Sequence, residues 1–439
     1  TTIDVGCNGG SDIITLGPGD DLAFGGDHHD YIEGNDGRDI ITGDFAFYDT
    51  WSNSRYPKLL LTTSCASGGN DILLGGDGIV DYIVGGSLHD TIYADSSLSN
   101  NIASLDIVFG DHAKIMFYWN ESHKLQQATT TDAGCNCGSD VITLGAGDDL
   151  AFGGGLHDYI EGNDGRDIIV GDFAFYDTSL SSRYPKVLET INCSFGGYDT
   201  LYGGDGDTDF MIGGSSDDAI YGDNNSSVNS GNRDIVFGDH AEIMFYGDES
   251  HKLEQATTID EGCNGGSDVI TLGPGDDMAF GGDLHDYIEG NDGKDMIIGD
   301  FAFYDTWDNS SYPKLLVTIN CSLGGTDSLH GGEGNVDYII GGSLNDTIYA
   351  DDKNSTNIAN SDVVFGDHAE IVFYEEESHK LRQAVTVDGN CSSGGSDYIA
   401  LGPGDDLAFG GDLHDYIEGN DGKDIMIGDF AFYDTWAGF

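Results

Sequence analysis

The chain has 439 residues, with 79 Asp and Glu against 16 Lys and Arg, and a formal charge of −63. That balance excludes nucleic acid as a partner, since no basic patch is present to neutralise phosphates, and no apolar run is long enough to span a bilayer. A hydrophobic share of 38%, with 22 Tyr and 21 Phe, is too apolar and aromatic for a disordered acidic chain. A folded protein whose carboxylates are cancelled by bound cations reconciles the two.

The first element is a nine-residue beat. Asp12, Asp21, Asp30 and Asp39 are spaced by nine, in the pattern of Gly25-Gly26-Asp27-His28-His29-Asp30-Tyr31-Ile32-Glu33. Glycines before each Asp and an aliphatic residue two after it predict a parallel β-roll that binds calcium. Glycine permits the tight turn and lets a carbonyl approach an ion. Calcium takes six to eight oxygen ligands, carbonyls included, so turns from successive coils can share one. Ile14, Ala23, Ile32, Ile41, Leu73, Ile83, Ile92 and Val108 are expected to point inward. The residue directly after each Asp should then face outside.

Next comes Gly43-Asp44-Phe45-Ala46-Phe47-Tyr48, and after a loop, Leu59 to Thr63, which predicts a β-hairpin. A second half follows, with Asp71, Asp81, Asp90 and Asp106, then Gly110-Asp111-His112-Ala113 and a hairpin from Lys114 to Trp119 and Lys124 to Thr129. Asp90 and Asp106 are sixteen residues apart, so Ser96 to Ser104 should protrude as a polar surface loop. For Asp44, Asp111 and their copies the pattern fits a ligand and a simple turn former equally.

The pair of halves repeats about every 128 residues. The expected modules are 1–64, 65–134, 135–192, 193–262, 263–320, 321–390 and 391–439, the last with an incomplete hairpin. The later nonapeptide aspartates are Asp140, Asp149, Asp158, Asp167, Asp199, Asp209, Asp218, Asp234, Asp268, Asp277, Asp286, Asp295, Asp327, Asp337, Asp346, Asp362, Asp397, Asp406, Asp415 and Asp424. With the first eight they make twenty-eight candidate calcium ligands. The ends fall inside hairpins and no signal peptide is present. Both features read as a window of a longer array, or a subunit completed by its neighbours. The scarce basic residues, such as Lys58, Lys124 and Lys314, cluster in the hairpins and leave the rolls with almost no internal counter-charge.

The best copies, Gly34-Asn35-Asp36-Gly37-Arg38-Asp39-Ile40-Ile41 and Gly203-Gly204-Asp205-Gly206, resemble the RTX (hemolysin-type) family of calcium-binding repeats; Gly85-Gly86-Ser87-Leu88-His89-Asp90 fits more loosely. The resemblance implies Ca2+, a right-handed parallel β-roll that folds on meeting extracellular calcium, and kinship with large extracellular arrays that intersperse rolls with Gly-Asp-His hairpin segments. The expected fold is therefore all-β: tandem short parallel β-rolls alternating with β-hairpins in an elongated, solenoid-like rod.

Cys7, Cys65, Cys135, Cys193, Cys263, Cys321 and Cys391 are periodic, which suggests disulfides in an oxidising compartment. Pairing of Cys7 with Cys65 and of Cys65 with Cys135 remain alternatives, and Cys137 falls outside the period. Sequons at Asn120, Asn192, Asn224, Asn225, Asn309, Asn320, Asn354 and Asn390 suggest N-linked glycans on a secreted protein; Asn345 sits in a roll turn and is a poorer acceptor. Every histidine beside an aspartate recurs with the scaffold, and no Gly-x-Ser-x-Gly elbow is present. The reading is a non-enzymatic, extracellular structural array that self-associates into a filament, surface appendage or matrix. A calcium-dependent adhesin stalk or glycan-binding module, or the RTX segment of a larger secreted enzyme, are the alternatives.

Overall fold

The computed structural model describes residues 9–54, 56–63, 68–96, 104–119, 123–131, 137–178, 185–192, 196–206, 208–223, 232–246, 251–259, 265–308, 310, 312–320, 323–334, 336–352, 355, 360–375, 379–387 and 393–435. Among these every regular element is a β-strand. They form two units, Thr1–Ser215 with Gly247–His251, and Ser216–Tyr246 with Lys252–Phe439.

In the first unit, strands of three to seven residues alternate between two parallel sheets. The first sheet begins Ile13–Thr15, Tyr31–Glu33, Ile72–Leu74, Thr91–Tyr93, and the second Leu22–Phe24, Ile40–Thr42, Tyr82–Val84, Ile107–Phe109. One coil is two nonapeptides, so Ile14 pairs with Ile32 and Ala23 with Ile41. The aliphatic residue two after each Asp points inward as expected: Ile32, Ile41, Leu73, Ile83, Ile92 and Val108 are fully buried, and only Ile14, on the first coil, is half-buried.

The hairpins leave the roll and return to the same turn. Asp12 and Asp30 are 18 residues apart and Asp30 and Asp71 are 41 apart, yet both pairs make the same contact, so 41 − 18 = 23 residues loop out between adjacent coils. The looped-out strands Ala46–Thr50 and Pro57–Thr62 pair antiparallel. Pro57–Thr62 in turn pairs with Ala113–Phe117 of the next hairpin, and Leu125–Thr130 with Ala174–Thr178. The hairpins thus fuse into a third, antiparallel sheet. The roll continues beneath them without a break, Ile40–Thr42 pairing directly with Tyr82–Val84.

This third sheet corrects one expectation. The residue after each Asp is indeed exposed in the first roll sheet, as at Ile13, Tyr31, Ile72 and Val141. In the second sheet Ile40, Tyr82, Ile107 and Leu150 are buried instead, because the hairpin sheet covers that face. Tyr82 meets Phe117 edge-on at 4.9 Å, and its hydroxyl donates to the His123 carbonyl at 2.5 Å. A strand buried on both faces reads as a continuous apolar run, and Tyr82-Ile83-Val84 and Ile107-Val108-Phe109 do so.

The second unit repeats the plan. Its first roll sheet runs from Ala219–Tyr221 to Tyr416–Glu418, its second from Ile235–Phe237 to Ile425–Ile427, and its hairpin sheet from Ala241–Phe245 to Phe432–Asp434. Tyr338 packs on Phe373 at 5.1 Å between roll and hairpin.

Candidate metal centre

The nonapeptide aspartates form two ladders in each unit. On one side of the first roll the backbone N–H of Asp12 donates to Oδ1 of Asp30, and the chain of donation continues through Asp71, Asp90, Asp140 and Asp158 to Asp199, each at 2.7 Å. On the other side Asp21 donates to Asp39, then through Asp81, Asp106, Asp149 and Asp167 to Asp209. The second unit has the equivalent series Asp218, Asp268, Asp286, Asp327, Asp346, Asp397 and Asp415. Its other ladder is Asp234, Asp277, Asp295, Asp337, Asp362, Asp406 and Asp424. The sequence assigned all twenty-eight to one role, and the fold aligns them in register.

Each accepting carboxylate of a ladder uses one oxygen, Oδ1, in this way. The other is orphaned: Oδ2 of Asp30, Asp39, Asp71, Asp81, Asp90, Asp106, Asp140, Asp149, Asp158 and Asp167 is buried without a hydrogen-bond partner, as it is for Asp286, Asp295 and Asp337. A buried, unpaired carboxylate oxygen is costly unless a cation meets it. Burial pushes the metal-free carboxyls upward, Asp71 to about 7 and Asp81 to about 8. For Asp81 the neighbouring charge of Asp106 adds to the effect of burial.

The glycine that opens each turn is required by this arrangement. A Cβ on Gly25 would collide with Asp30 Oδ2 and with the Gly43 carbonyl of the next coil, and a Cβ on Gly153 would meet Asp158 Oδ2 and the Gly171 carbonyl. Carboxylate oxygen and carbonyls therefore lie around one small cradle in successive turns. Hard oxygen donors of both kinds are what calcium takes. Among the described residues no three His, Cys, Asp or Glu side chains gather into a metal cluster. A site built partly from backbone carbonyls would not do so.

Asp44 and its copies are of a different kind. Asp44 Oδ2 accepts from the Ser87 N–H at 2.6 Å and Oδ1 from the Gly69 N–H at 3.2 Å. Asp111 accepts from Gly138 and Gly155, and Asp172 from Gly197 and Ser215. Both oxygens are thus engaged by the chain at the point where a hairpin leaves and rejoins the turn. The structure makes them turn clamps.

Sequence reasoning missed Asp95, Asp223 and Asp351, which occupy the same second turn position, directly before the inserted segment, and are buried. The available signal was common to both sets: wherever a turn is interrupted, Asp replaces the second glycine. The histidines are structural too. His29, His157 and His285 accept on Nδ1 from the N–H of Asn70, Tyr198 and Thr326 in the next coil, each at 2.8 Å. Buried His112, pushed down to about 4 by desolvation, pairs with the Ser87 hydroxyl at 3.0 Å.

Cys7, Cys65, Cys135, Cys193, Cys263, Cys321 and Cys391 lie outside the described residues, and Cys137 is half-buried. Of the sequons, Asn192, Asn320 and the roll-turn Asn345 are described and exposed; Asn120, Asn224, Asn225, Asn309, Asn354 and Asn390 lie outside. No helix among the described residues is long and apolar enough to cross a membrane.

The fold and its orphaned carboxylates define a calcium-binding parallel β-roll. The model of the RTX calcium-binding nonapeptide repeat (4 copies) matches residues 8–41, 138–160, 145–173, 196–207, 264–288, 271–301 and 402–430, all with coils of the roll. In those stretches the chain carries RTX-type calcium-binding nonapeptide repeats. No curated protein matches it. One solved structure, a hyperactive, Ca2+-dependent, beta-helical antifreeze protein from an Antarctic bacterium, aligns at 14% identity over 94% of this chain and 87% of its own, with a TM-score of 0.27. At that TM-score the likeness bears on neither fold nor function.

Proposed function

We propose that the protein is a non-enzymatic, extracellular structural array whose rolls are set by calcium. The observation that carries this reading is the run of buried aspartate Oδ2 atoms with no partner, in rolls almost without basic residues. Calcium is the ion that meets such a donor set, and millimolar calcium suits modest sites outside the cell. The near-identical modules support a role in which repetition itself is the product, since solenoid stability adds from neighbour to neighbour. The periodic cysteines and the sequons support secretion, N-linked glycans and a place in a filament, surface appendage or matrix. The twenty-eight nonapeptide aspartates are the proposed ligands, and the seven modules the proposed units of the array.

The test combines far-UV circular dichroism with and without EGTA and electron microscopy of the native, calcium-loaded protein. Loss of β signal in chelator that returns with calcium, together with filaments, supports the proposal. A β signal indifferent to EGTA overturns the calcium part, and monodisperse globular particles overturn the assembly part.

A further inference from the structure

Asp351 and Asn360 flank residues 352–359, the segment inserted between two nonapeptides. Asn360 is 3% exposed and Asp351 5%. The Asn360 amide nitrogen donates to Asp351 Oδ2 at 2.6 Å and to Asp362 Oδ2 at 3.2 Å. Two carboxylates on the nitrogen side fix the amide's orientation, because its oxygen would be repelled there. Asn360 Oδ1 is therefore turned the other way, toward Gly404, and has no hydrogen-bond partner. Asp351 Oδ1 and Asp406 Oδ2 are likewise buried and unpartnered. A Cβ at residue 404 would lie 2.6 Å from Asp406 Oδ1 and would collide with Asn360 Oδ1, so only glycine leaves this space open.

The second copy has the same parts. Asn232, 3% exposed, donates to Asp223 Oδ2 at 2.8 Å and Asp234 Oδ2 at 3.3 Å, and its unpartnered Oδ1 faces Gly275 beside Asp277. The first copy differs: Ser104 stands in place of the asparagine and its hydroxyl donates to the Ala146 carbonyl.

We propose that Asp351, Asn360 and Asp406, and again Asp223, Asn232 and Asp277, each form a divalent-cation site that ties both flanks of an inserted segment to the roll. Its donor set differs from that of the nonapeptide turn, because an amide oxygen and a second-position carboxylate join the nonapeptide aspartate. Calcium accepts such mixed oxygen ligands. The identity of the ion rests on the calcium reading above. The copy with Ser104 lacks the amide oxygen and forms no such site.

The test is equilibrium calcium binding, by titration calorimetry on the chelator-stripped full chain, of wild type and the Asn232→Ala/Asn360→Ala double variant. The variant is expected to bind about two fewer calcium ions per chain, with its far-UV circular dichroism in saturating calcium unchanged. A wild type that binds calcium beside a variant binding the same number equally tightly overturns this inference alone; a wild type that binds none overturns the calcium reading with it. If the alanine variant does not fold, Asn232→Asp/Asn360→Asp decides. It keeps an oxygen donor and adds charge, so it should hold those two ions about tenfold more tightly. A purely structural amide predicts the reverse, since both N–H donors are lost, and weaker binding there overturns the proposal.

Discussion

At the scale of single residues, the nonapeptide aspartate has two separable jobs. Asp158 Oδ1 takes the Asp140 N–H at 2.7 Å and so sets the register between coils, while its orphaned Oδ2 is the proposed metal donor. Asp158→Asn keeps the first job and weakens the second. Its calcium affinity should fall about tenfold or more at that turn, while the calcium-free protein becomes more stable because a buried carboxylate is gone. Calorimetry and thermal melts in EGTA check both signs, and a variant less stable in EGTA would contradict the assignment. The residue scale also explains why loose copies still fit. Leu88, Leu156 and Leu284 occupy the turn position where the repeat consensus has glycine, and they hold positive φ of 71°, 71° and 66°. The backbone keeps the turn at the expense of left-handed strain. Leu284, 45% exposed, can be replaced at little loss of packing, so Leu284→Gly should stabilise the protein by about 0.5–1 kcal/mol. A lower melting temperature in calcium would contradict this.

At the scale of elements, the nine-residue beat was legible because both ladders demand it: Asp must recur once per half coil to receive the next N–H. The hairpins were legible as strands, through Ala46–Thr50 and Pro57–Thr62, but their insertion within a single turn was not. Asp44 breaks the Gly-Gly signature, and the turn's remaining half, Gly68-Gly69-Asn70-Asp71, lies 23 residues late. The second core beneath the hairpin sheet was hidden for a related reason. Period-two reasoning gives each strand one inner and one outer face, whereas Ile40, Tyr82 and Ile107 face another sheet. Asp44→Ala tests the clamp. It strands the Ser87 and Gly69 N–H groups, at a cost of about 2–4 kcal/mol for two buried donors, and those two amides should exchange hydrogen faster than their neighbours in the roll. Unaltered exchange at both would show that Asp44 clamps nothing.

At the scale of the whole molecule, charge governs stability. With a formal charge of −63, the protein without calcium must crowd like charges along four ladders. Burial raises Asp71 to about 7 and Asp81 to about 8 from an ordinary 3.8. A raised folded pKa means that the folded state holds its proton more tightly than the unfolded chain. The stability of the calcium-free roll is therefore fullest below about 4 and is lost as the pH climbs through 7 to 8. Melts in EGTA at pH 4, 6 and 8 should show a falling melting temperature along that series; a rising one would contradict the burial of these groups. With calcium present the dependence weakens, because the ion takes the place of the proton.

The most direct test of the central claim is an experimental density map of the protein crystallised with calcium, with anomalous scattering recorded to identify the metal. The account predicts a calcium peak within about 2.3–2.6 Å of the orphaned Oδ2 atoms in successive turns, Asp30, Asp71, Asp90 and Asp158 among them. Turns that are well ordered in calcium and show water or nothing at those oxygens would contradict it.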